Sequence, residues 1–209
     1  GMVEKERLAN FSALVLVSLI GMNGMALVRD LFSLYVFLEI VSVGSFVLIA
    51  FNRDKPALEG AFKYLILSAV ATVMMLGSVA LLVMVVGQTT YSAVSGVLPV
   101  QHHWVVKLAV AGYVIGSLIK GGVAPFHGWV LGAYSAASAP VSVLLGGIAT
   151  KVSGIFVLIV MTTEVFPPSE AMSNALLALG TLSIVVGALA AIGQKDVKRL
   201  LAYSSISQV

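Results

Sequence analysis

Three ionisable side chains stand inside runs that are otherwise apolar. Glu39 lies in LFSLYVFLEIVSVGSFVLIAF, Lys120 in VIGSLIKGGVAPFHGW, and Lys151 in VSVLLGGIATKVSGIFVLIVM. Lys63 sits inside a fourth apolar run, and His127 follows closely on Pro125. The chemistry these types offer is proton transfer. Apolar surroundings disfavour a charged lysine and a nearby carboxylate favours it. A buried lysine whose carboxylate moves nearer or farther therefore loads and releases a proton near neutral pH. A histidine, titrating near pH 6.5 when unperturbed, is a further relay candidate. Each reading has a plainer alternative. Glu39 and Lys120 could form a static ion pair, Lys63 could snorkel to a membrane surface as Lys107 does, and His127 could be a hydrogen-bonded packing residue.

The elements that must position these residues follow from composition. Of 209 residues, 59% are apolar and 10% charged, and the mean hydropathy is +1.06. A soluble domain of this size is about 45–50% apolar and about 25% charged. There is too little polar surface here for a water-soluble globule. Period-two alternation in short segments, the mark of an outer-membrane barrel, is absent from these long unbroken runs. The sequence therefore predicts an all-α, polytopic transmembrane bundle with helices over 11–28, 31–51, 58–86, 104–138, 140–162 and 170–192, and another starting near 196. The first ten residues, which mix acids and bases, read as a loop, as does 87–103. A charge at the bilayer centre costs roughly 2.5–3.5 kcal/mol. Three of them would cost on the order of 8–10 kcal/mol without partners or internal water. Four lysines in or near the membrane against one central carboxylate make a poor lock and a better chain of protonatable sites.

The 104–138 segment is long for one span and short for two. Loop charge separates the cases. With one crossing, Lys5, Arg7, Arg53, Lys55, Lys195, Lys198 and Arg199 share a side and Arg29 stands alone on the other. Two crossings would even the count. The positive-inside rule favours one crossing with a cytoplasmic N-terminus. The extra length then requires a broken helix, and Gly121, Gly122 and Pro125 sit where the break is expected. Broken helices free backbone carbonyls and admit water along ion paths. Gly112, Gly116, Gly128 and Gly132 read as small residues for close helix approach. Trp104 and Tyr91 read as interfacial anchors.

Several functions are excluded for this chain alone. It has no cysteine, so no disulfide, thiolate nucleophile or iron–sulfur cluster can be built from it. Its histidines are His102, His103 and His127, two of them loop neighbours, which is poor geometry for haem or zinc. The net charge of +3 reflects basic loops and not nucleic-acid binding.

Four strings in order carry a resemblance: RDLFSLYVFLEIVSVGSFVLIA, EGAFKYLILSAVAT, KGGVAPFHGWVLGAYSAASAPVSVLLGGIATKVSG and KDVKRLLAYSSISQ. From about residue 11 onward they resemble the antiporter-like membrane subunits of respiratory complex I, the proton-translocating NADH:quinone oxidoreductase. Mrp sodium/proton antiporters and energy-converting hydrogenases share that family. The resemblance implies two inverted five-helix repeats, each with a broken fourth helix. Residues 1–162 would form the first repeat, and 163–209 the start of a truncated second. It matches Glu39 to the family's central glutamate, Lys120 to the lysine of the broken helix, Lys151 to the lysine one helix on, and Lys63 to a usually basic position. Gly132 stands where the family often has an aspartate. The chain is expected to be a fragment that lacks the second repeat's broken helix.

The expected role is proton translocation by a non-redox subunit of a complex I-like machine, in a bacterial or archaeal plasma membrane or an organellar inner membrane. The alternatives are an Mrp-type antiporter or hydrogenase membrane subunit, with sodium a possible ion at Glu39, and a structural spacer of a membrane arm. No cofactor or metal is expected in this chain. Flavin, iron–sulfur clusters and quinone belong to partner subunits of the membrane complex.

Overall fold

The computed structural model describes residues 2–97 and 104–209. His102 and His103 lie outside the described residues. Helix α1 spans Met2–Leu27, α2 Leu31–Ile49 and α3 Lys55–Val86. A short α4 covers Tyr91–Val97, and α5 runs over Trp104–Gly121. Next come α6 (Gly128–Ala136), α7 (Ala139–Val165), α8 (Glu170–Ile192) and α9 (Val197–Ser207). Among the described residues, six helices are long and apolar enough to cross a membrane.

Local chemistry sets the starts. Asp30, Asp54 and Ser169 accept hydrogen bonds from the backbone N–H of Ser33, Ala57 and Met172, capping α2, α3 and α8. Pro56 falls in the first turn of α3, where its missing N–H costs nothing. Asp54 moves the start of α3 ahead of the expected residue 58. The first ten residues differ more. They are helical from Met2, because Glu4, Lys5, Glu6 and Arg7 are good helix formers that extend α1 beyond its apolar run. The expected loop at 87–103 also contains α4. Leu31 N–H donates to Thr89 O (2.9 Å) and Tyr91 N–H to Arg29 O (3.0 Å), which pins α4 to the α1–α2 connection. Tyr91 is therefore only 4% exposed and packs into the core, not at an interface as the sequence suggested. Trp104 is exposed, as an interfacial anchor should be.

The 104–138 segment is one broken helix lying along one partner. Helix α3 runs antiparallel to α5 and α6 in a register that continues across the break. Gly112 faces Ser78, and Gly116 faces Met75 and Ala71. Lys120 meets Ser68, Trp129 meets Tyr64 edge-on, and Gly132 meets Gly60. Three of the four glycines read as contact points thus lie against α3. Gly128 differs: a Cβ there would touch nothing, because it sits on the outer side of the break.

The ends agree with a single crossing. The α1–α2 and α3–α4 connections meet Glu164 at the close of α7, where Arg29 forms an ion pair with it (2.8 Å). At the opposite end, Lys198 of α9 donates to Ala137 O just past α6 (2.6 Å). The core between these ends holds Leu34, Leu38, Met75, Tyr113 and Met161, all essentially unexposed.

Candidate functional site

Lys120 occupies the last turn of α5, immediately before the break, and is 4% exposed. Its Nζ donates to Ser42 Oγ of α2 (2.5 Å) and Ser68 Oγ of α3 (2.9 Å). Both serines also line a small cavity of ≈ 80 Å³, together with Glu39, Tyr64 and Thr72. Glu39 lies one turn before Ser42 on α2. The structure thus brings Glu39 and Lys120 to one site, and they do not form the direct ion pair that the sequence offered. Two hydroxyls hold the ammonium, and the carboxylate shares their cavity.

The break itself is a set of satisfied backbone groups. Gly122 adopts φ +70, a conformation that favours glycine, and the Ala124–Pro125 peptide is cis. The Ala124 N–H donates to Ser183 Oγ of α8 (2.7 Å). The carbonyl of Ile119 accepts from Trp129 Nε1 (3.0 Å). Each group freed by the interruption needs such a partner inside a membrane. His127 follows at the head of α6, half-buried, with its Nδ1 enclosed and unpartnered. It does not line the Glu39–Lys120 cavity.

Lys151 opens one of three π turns in α7, Leu145–Ala149, Lys151–Phe156 and Met161–Val165. Such turns recur at functional sites. Its Nζ donates to Ser205 O of α9 (2.7 Å). Lys151, Tyr134, Ser142, Lys198 and Ser204 line a larger cavity of ≈ 710 Å³ between α7 and α9. Tyr134 Oη and Thr150 Oγ1 share a hydrogen bond (2.6 Å) beside it. Lys63 stands apart. It is exposed on α3 with its stem beside Gly132. Lys107 is exposed too.

Sequence reading missed Ser42, Ser68 and Ser183. Serines are common in membrane helices, and nothing in a single serine announces its partner. One signal was available: Ser42 is almost one turn from Glu39, on the same helix face. The π turns left only the Gly146-Gly147 pair as a trace.

The family model described as NADH:quinone oxidoreductase/Mrp antiporter, TM matches residues 28–209. The chain belongs to this family. The NADH-quinone oxidoreductase subunit N of Desulforudis audaxviator is 36% identical over 203 residues, covering 96% of this chain and 40% of that protein. A chain of respiratory complex I from Thermus thermophilus superposes with a TM-score of 0.80 at 33% identity, over 95% of this chain and 43% of that one. A chain of the Mrp complex from Dietzia sp. DQ12-45-1b gives a TM-score of 0.85 at 26% identity, over 93% and 37%. The chain thus spans about two fifths of the length of these NADH:quinone oxidoreductase/Mrp antiporter relatives. Family and helices together make it an integral, multi-pass membrane protein.

Proposed function

We propose that this chain carries protons across a membrane as a non-redox subunit of an NADH:quinone oxidoreductase-type complex. Lys120 is the carrier, Glu39 the group that biases its charge, and Lys151 the next site. Residues 1–162 act as the first five-helix repeat, and 163–209 begin the second. The observation that carries this reading is how Lys120 is held. A serine hydroxyl accepts from an ammonium and can equally donate to a neutral amine. Ser68 can therefore serve Lys120 in both protonation states, and Ser42, whose O–H donates to Leu38 O (2.7 Å), can do so by turning that proton from the carbonyl to the amine. An ionised carboxylate has no proton to donate to the neutral amine's lone pair. When Glu39 approaches through the shared cavity the ammonium is favoured, and when it withdraws the proton leaves.

Charge distribution supports an orientation. Lys5, Arg7, Arg53, Lys55, Lys195, Lys198 and Arg199 lie toward the end that holds the start of α1, and Arg29 toward the other. The positive-inside rule places that basic end, and the N-terminus with it, in the cytoplasm. The electron donors and their cofactors belong to partner subunits.

Likeness to a chain of the Mrp complex favours sodium/proton exchange as the second reading. The serine oxygens that would help Glu39 bind sodium are engaged by Lys120. That favours protons. The test is Lys120→Met in the full-length protein, within its complex and reconstituted in liposomes. Protons moved per electron should fall by about tenfold or more, as for loss of a positioned proton-transfer group. An unchanged ratio overturns the reading. Sodium flux without an electron donor would select the second.

A further inference from the structure

Lys151 lines the large cavity, Lys120 is held by two serines that line the small one, and the aromatic cluster between those cavities joins their linings. Tyr64 lines the small cavity of Glu39, and Tyr134 lines the large cavity of Lys151. Trp129 stands between the two tyrosines. Its ring meets Tyr64 edge-on at 4.9 Å between centroids and Tyr134 edge-on at 6.3 Å. All three rings are under 8% exposed. Directly between α5 and α7 the space is taken up by backbone. Gly121 and Gly154 lie against each other there, with Ile155 beside them. The Tyr64–Trp129–Tyr134 cluster is the contact that joins the linings of the two cavities.

Trp129 is held across this gap by one hydrogen bond, and its partner is informative. The indole N–H donates to the carbonyl of Ile119, the residue preceding Lys120. That bond ties the ring to the last turn of α5. A shift of Lys120's backbone at the break moves the acceptor and releases the ring. The missing side chain of Gly122 leaves Val130 and Trp129 room to pack close against the interruption.

Resting on the proton-carrier reading of Lys120, we propose that Trp129 is a positioning residue: a ring gate that separates the small cavity of Glu39 and the Lys120-holding serines from the Lys151 cavity until the broken helix moves. The gate makes no bond to the proton. It determines when water connects the two lysines, so it keeps transfer coupled to movement of the break and blocks passive flow.

The test uses the complex carrying the full-length chain, reconstituted in liposomes, with passive proton conductance read by an enclosed pH dye without electron donor. Trp129→Phe keeps a ring and removes the bond to Ile119. Losing one such bond should raise conductance about fivefold. Trp129→Ala should raise it further, and Lys120→Met added to Trp129→Ala should abolish the rise. Conductance of Trp129→Phe at the wild-type level overturns the gate, whether or not Trp129→Ala assembles. A rise that persists in the Trp129→Ala, Lys120→Met double variant also overturns it. Failure of the carrier reading shows separately, as undiminished driven pumping in Lys120→Met alone.

Discussion

Gly154 rests directly on the backbone of Gly121, with no room for a Cβ between them. One residue lies in the π turn that begins at Lys151, and the other ends the helix that carries Lys120. The two lysine-bearing segments are therefore in direct backbone contact at the level of the break. The absent side chain of Gly154 makes that contact possible, while a Cβ on Gly121 would meet Ile155. Gly154→Ala should force α7 and α5 apart at a cost of about 1–3 kcal/mol. Thermal unfolding of the purified complex would read it, with an unchanged midpoint counting against the contact. Gly147→Ala, at an open position on the same helix, is the matched control.

Ser183 satisfies an amide freed by the break. Ser183→Ala should leave the Ala124 N–H buried and unpaired, a loss of about 1–3 kcal/mol. Ser183→Thr keeps the hydroxyl and should retain more of the stability. Equal losses in both variants would mean that space, and not the hydrogen bond, matters there.

The Ser42 and Ser68 hydroxyls carry a sharper expectation. Ser42→Ala combined with Ser68→Ala strips Lys120 of its partners. Proton transport should drop by about tenfold or more, since a hydrogen bond to a charged group is worth about 1.5–3 kcal/mol. Threonine at both positions should restore part of it. Undiminished transport in the alanine pair would show that the hydroxyls are dispensable.

The Arg29–Glu164 ion pair should matter little. Its side chains are 66% and 40% exposed, and exposed pairs contribute about 0–1 kcal/mol. Arg29→Ala should shift stability within that range. The shift should vanish at about 1 M salt, where screening reaches about 3 Å. A large, salt-independent loss would point to a buried role.

Tyr91 sets an alkaline limit. Burial, reinforced by the Glu164 and Asp30 carboxylates and opposed by Arg29, pushes its phenol above the ordinary 10.0. The folded chain keeps this proton at pH values where the unfolded chain has lost it. Stability should accordingly fall as pH rises through about 10. Tyr91→Phe should flatten that slope in unfolding measured at about pH 8 and about pH 11. At neutral pH the change should be slight, because the hydroxyl has no partner to lose. A slope that survives the substitution would assign the alkaline limit to another group.

The helices were legible because apolar runs of membrane length admit few other structures. The break was legible from Gly121, Gly122 and Pro125, since each disrupts a regular turn. Glu39, Lys120 and Lys151 stood out through the cost of burying charge. What stayed hidden depends on tertiary contact. The helix start at Met2 lies outside the apolar run that marked α1. Helix α4 is pinned by Arg29 and Thr89, residues far from it or outside it in sequence. The serines that hold Lys120 became identifiable only when α2, α3 and α5 met.

Helix α3 passes the interruption without a gap, touching α5 at Gly112 and Gly116 and α6 at Gly132. It acts as a splint. A splinted fracture does not swing open like a hinge, because both pieces stay bound to one continuous rod. Such packing favours shear over hinge motion, and the close seat that Gly60 offers Gly132 is smooth along α3. A displacement of α6 against α3 would therefore run along the shared axis of the two helices.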